Sequence, residues 1–85
     1  MQELTFTSDE EEMLFWLKAE NSDQVYTGGD PITDAKPDLN NGKIDLVHLG
    51  SEGYYDCTAY KLKPEHAEHT ERVRALTKRI YRIFQ

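Results

Sequence analysis

The stretch PEHAEHTERVRALTKRIYRIF, residues 64–84, decides the fold of this chain. Val73, Leu76, Ile80, Ile83 and Phe84 recur at three- and four-residue steps, which places them on one face of an α-helix. Pro64 suits a first helical turn, where a missing N–H costs nothing. Glu65, Glu68 and Glu71 precede Lys78, Arg79 and Arg82, so the charges complement the helix dipole at both ends. The spacing predicts a helix over about 64–84, with Leu76 in the buried seam and Arg74 off the apolar stripe, on a solvated side. A lone helix of this length is marginal in water. The rest of the chain is therefore read as what it packs against.

Working outward, Lys43 to Leu49 and Tyr54 to Lys63 alternate in polarity around Gly50-Ser51-Glu52-Gly53, the pattern of a hairpin spanning 43–63. Between Asn21 and Lys43 turn-formers dominate, and only Val25-Tyr26-Thr27 offers a short strand, near 25–27. Ser8 followed by Glu11 is a capping-box signature ahead of Met13-Leu14-Phe15-Trp16-Leu17, which predicts a first helix over about 9–20. Phe15 and Trp16 extend past a stripe of normal width: the helix is covered on two sides, or it offers an aromatic to a partner. Leu4-Thr5-Phe6-Thr7 reads as an N-terminal strand. The expected architecture is α+β: a small antiparallel sheet with the two helices packed on one side. At 85 residues it forms one domain, 1–85.

The net charge of −6 is unevenly distributed. Residues 1–56 carry a balance of −10 and residues 57–85 a balance of +4. The two halves either attract one another within the fold or present an acidic and a basic face. An acidic excess of this size disfavours general nucleic-acid binding. The single cysteine, Cys57, excludes an intrachain disulfide and fits a reducing compartment. No apolar run approaches the ~20 residues of a membrane span, and Met1-Gln2-Glu3-Leu4 lacks the basic start and apolar core of a signal peptide. A cytoplasmic location is expected.

Several constellations fall short of a chemistry. Asp38 to Asp45 has the alternating oxygens of a calcium loop, but Gly42 stands fifth rather than sixth and the twelfth position is Leu49. His66 and His69, with His48 and Cys57, are the best metal-ligand set available, without the paired spacings of a zinc site. Gly28-Gly29-Asp30 lacks the Lys and Ser/Thr of a phosphate loop. No catalytic residue, cofactor or metal is assigned, and a non-enzymatic protein is expected.

Two charged features remain. One is the acidic portion, in which Asp9, Glu10, Glu12, Glu20, Asp23 and Asp30 would steer a partner with a basic surface, and Trp16 or Tyr26 would anchor it. Asp34 and Asp38 continue the same acidic run. The other is the basic side of the last helix, Arg72, Arg74, Lys78, Arg79 and Arg82. The leading expectation is a small acidic protein-binding module, accessory, regulatory or inhibitory, with a nucleic-acid-handling enzyme as one kind of target. Nucleic-acid binding through the basic helix is the first alternative. A small metal-dependent domain or enzyme built on the histidines and Cys57 is the second.

Overall fold

Ser8 starts the first helix as its position predicts: its Oγ accepts from the Glu11 N–H at 3.1 Å, and α1 runs over Asp9–Trp16. In this computed structural model, which describes residues 4–50 and 57–85, α1 is shorter than the expected 9–20. Side chains just downstream take over its terminal carbonyls. Asn21 Nδ2 donates to Phe15 O and Ser22 Oγ to Trp16 O, both at 2.7 Å. With those acceptors satisfied, the chain turns into β1, Ser22–Thr27.

The expected N-terminal strand does not form. Leu4–Phe6 have no regular structure, and Phe6 lies against Phe15 with ring centroids 5.3 Å apart. The Thr7 N–H donates to Glu11 Oε2 at 2.7 Å, and the Thr7 hydroxyl donates to the same oxygen. The segment thus serves the start of α1 rather than a strand ladder.

The hairpin arms are present as an antiparallel pair, β2 (Leu46–Leu49) and β3 (Cys57–Leu62). The part of the expected hairpin over 51–56, including most of its Gly50–Gly53 turn, lies outside the described residues. β1 pairs antiparallel with β3 on the other side, which gives the strand order β1-β3-β2. The strand expected near 25–27 therefore exists and begins earlier, at Ser22. A bulge at Val25 lets Gln24 oppose Tyr60 and Tyr26 oppose Ala59. That extra residue moves Tyr26 to the other sheet face.

Both sheet faces are covered. On one, Leu46 and Leu62 meet Met13 and Trp16 of α1 and Val73 and Leu76 of the last helix. The two helices read from the sequence thus share one side. On the other face, Val47, Cys57 and Ala59 meet Ala35, Leu39, Ile44 and Phe84. This second cluster depends on a helical segment that the turn-formers of 21–43 concealed. A π-helical turn over Pro31–Ala35 runs directly into α2, Lys36–Asn41. Asp30 caps it, its Oδ1 accepting from Ile32 N at 2.8 Å and Thr33 N at 3.3 Å. Gly42, at φ +84°, ends α2 in the left-handed region that favours glycine.

The 64–84 stretch is helical in three pieces: a 3₁₀ segment (Pro64–His69), α3 (Thr70–Ile80) and a last turn (Arg82–Phe84). The break at Tyr81 (φ −113°, ψ 91°) sends Phe84 into the second cluster, where it is 1% exposed. α3 also closes the free edge of β2. Thr77 Oγ1 accepts from Val47 N at 3.3 Å, and Tyr81 OH accepts from Leu49 N at 3.2 Å. These side chains satisfy strand groups that would otherwise invite another strand.

Candidate protein-binding surface

The two oppositely charged parts of the chain meet inside the fold. Arg72 holds Glu12 through two contacts, Nε to Oε2 at 2.9 Å and Nη2 to Oε1 at 2.7 Å. Two turns along α3, Arg79 holds Asp9 in the same way, at 3.2 and 2.9 Å. Forked pairs of this kind join α1 to α3 and fix their register. They lower the carboxyl pKa of both acids. For Glu12 the Arg72 hydrogen bond is the main cause, opposed by burial and reinforced by the Trp16 N–H; for Asp9 it is the Arg79 hydrogen bond. Arg72 and Arg79 shift upward for the same reason.

Arg74 does not lie on a solvated side, contrary to the reading from periodicity. Its guanidinium donates to Asp45 Oδ1 at 2.7 Å, and Asp45 is only 1% exposed. Asp45 Oδ2 accepts from Leu62 N at 3.0 Å, and Lys61 Nζ stands 3.5 Å from Oδ1. Gly42 O accepts from Lys61 at 2.8 Å and from Arg74 at 3.4 Å. The segment resembling a calcium loop is thus a helix C-cap followed by a carboxylate committed to two cations and a backbone amide.

Of the five basic residues read as a binding face, Arg72, Arg74 and Arg79 have carboxylate partners within the chain. Lys78 is half-buried and Arg82 exposed, neither with an acid partner among the described residues. A phosphate backbone would have to compete with the internal carboxylates for the other three.

The acidic set divides too. Glu12 is buried and Asp9 paired, while Asp23 binds Lys63 at 2.8 Å on the surface. Glu10, Glu20 and Asp30 are exposed, without an ion-pair partner among the described residues. Trp16 is 1% exposed and cannot anchor a partner. Its indole N–H faces Glu12 Oε2 at 3.3 Å, and its ring packs against His69 (4.9 Å), Phe15 (5.0 Å) and His66 (5.8 Å). Tyr26 is half-buried with an enclosed hydroxyl, and its pKa is pushed up to about 12, first by burial and then by Cys57, Asp38 and Asp34. Burial also raises the Cys57 thiol, with Asp34 and Asp30 adding to it.

Those effects point to the later part of the acidic run. Asp30, Asp34 and Asp38 stand at four-residue steps along the 31–41 segment, and Asp34 Oδ2 accepts the Asp30 N–H at 2.8 Å. All three carboxylates remain without a basic partner among the described residues. The four-residue step was visible in the sequence. Pro31, Pro37 and the flanking glycines argued against the helix that gives it meaning.

The metal-ligand candidates do not converge. His48 is opposite Thr58 and Cys57 opposite Leu49, so adjacent-residue alternation sets the two on different sheet faces. No group of three or more His, Cys, Asp or Glu side chains with metal-holding geometry occurs among the described residues. No helix among those residues is long and apolar enough to cross a membrane. Comparison with protein-family models, curated proteins and solved structures returns no match to this chain, so its surface chemistry is the guide to what it does.

Proposed function

We propose that this protein is a small non-enzymatic binding module that engages a basic surface on a protein partner through the 30–38 acids. The observation that carries the reading is the unequal fate of the charges. Arginines of α3 are spent on Glu12, Asp45 and Asp9, whereas Asp30, Asp34 and Asp38, beside the opposite face of the sheet, have no basic partner among the described residues. Unpaired carboxylates of one sign speed encounter with a positive surface and reject negative ones. A nucleic-acid-handling enzyme, whose groove is basic, is one such target, and the module would then act as a regulator or inhibitor. A reducing, cytoplasmic setting fits the single free thiol.

The test uses Asp30→Asn, Asp34→Asn and Asp38→Asn together. Asparagine keeps the carbonyl that caps the segment and accepts the Asp30 N–H, so charge is removed with little change in structure. Tagged wild type should retain a defined partner from cell extract at low salt, where charge attraction is least screened, and the triple variant should lose it. Equal retention by the two proteins would refute the assignment.

A further inference from the structure

The most exposed large apolar side chain described is Leu14, 62% exposed on the side of α1 turned away from Met13 and Trp16. It lines a shallow groove of about 250 Å³ with Phe6, Glu11, Phe15 and Lys18. Phe6 lies on Phe15, and Lys18 Nζ stands 5.7 Å over the Phe15 ring. The strip is apolar in the middle and carries one acid and one base. Glu11 precedes Leu14 by three residues and Lys18 follows it by four. Neither has an ion-pair partner among the described residues, and Glu11 is held in place by Thr7.

We infer that the Leu14 strip is a homodimer interface, in which α1 packs antiparallel on α1 of a second copy about a two-fold axis near Leu14. A two-fold contact must be self-complementary. An apolar centre flanked by one negative and one positive group meets that requirement. The antiparallel arrangement sets Glu11 against Lys18 of the partner subunit, twice, while the two leucines cover each other. The 31–41 acids lie on the other face of the sheet, so the dimer would leave them uncovered and present them twice.

Sedimentation equilibrium of the full chain over a concentration series tests this. Wild type should show a monomer–dimer equilibrium, and exposed Leu14→Ser should weaken it at least roughly tenfold without unfolding the protein. Glu11→Lys and Lys18→Glu each place like charges opposite one another and should be monomeric alone. Mixed together they restore both opposite-charge contacts and should form a heterodimer. A wild type that stays monomeric to roughly millimolar concentration would overturn the inference. So would a dimer indifferent to Leu14→Ser, or a mixture of the two charge variants no more associated than either alone.

Discussion

Arg74→Ala separates this structure from a reading based on helical periodicity alone. Off the apolar stripe, such a change should be nearly silent. In the structure it strips the nearest cation from Asp45, whose side chain is 2% exposed. Removing one partner of a buried ion pair costs ~3–5 kcal/mol, because the other charge is left uncompensated. Two features reduce that here. Lys61 stays 3.5 Å from the same oxygen, and the Leu62 N–H still donates to the other one. Arg74 itself keeps 29% of its side chain exposed. We expect a loss of about 2–3 kcal/mol, between a charged hydrogen bond and a fully buried pair. Against the ~5–15 kcal/mol typical of a domain, that is a large fraction. Urea titration followed by Trp16 fluorescence gives the number, with Arg82→Ala as the exposed control, expected within about ±0.5 kcal/mol. Asp45→Ala and the double variant complete a cycle, and the two losses should fall short of additivity by ~1 kcal/mol or more. Arg74→Ala as mild as Arg82→Ala, or additive with Asp45→Ala, would mean that the Arg74–Asp45 pair does not stabilise the fold.

Leu76→Ala removes a fully buried side chain from the cluster between α1, α3 and the sheet, and should lower stability by ~2–5 kcal/mol in the same urea titration. Thr77→Val keeps the volume but leaves the Val47 N–H without its acceptor at the edge of β2; a loss of ~1–3 kcal/mol is expected, with faster amide exchange at Val47. Glu12 has a folded-state pKa below its ordinary 4.5, so the unfolded chain binds more protons between the two values. Its contribution is complete above about 4.5 and is lost as pH falls through the lowered value. Thermal melts from pH 2 to 7 should therefore show a shallower acid limb for Glu12→Gln than for wild type.

Much of the architecture was legible because it rests on periodicity. Val73 and Leu76 are buried where three- and four-residue spacing put them, and the alternation in 46–49 and 57–62 marks real strands. What escaped depended on contacts between distant residues. Pro31 and Pro37 are breakers inside a helix but are tolerated in first turns, and two successive first turns are how the 31–41 segment uses them. Thr5 and Phe6 favour a strand locally, yet the Thr7 backbone is claimed by Glu11. Trp16 had both a buried and a surface reading in sequence, whereas Arg74 had only a solvated one. Only the approach of His66, His69 and Asp45 settles where each lies. The candidate surface was half legible: Asp30, Asp34 and Asp38 were in view as an acidic run, but the helical segment that carries them was concealed by composition.

In the proposed reading, three arginines of α3 (Arg72, Arg74 and Arg79) are spent internally while the acids of 30–38 meet a positive partner. Amide shifts of ¹⁵N-labelled protein test it directly, titrated in parallel with an arginine- and lysine-rich peptide and with a duplex oligonucleotide. The peptide should move the signals of residues 30–38, and the duplex should leave those of residues 72–82 in place. Salt-sensitive shifts across 72–82 on adding duplex, with 30–38 indifferent to the peptide, would contradict that reading.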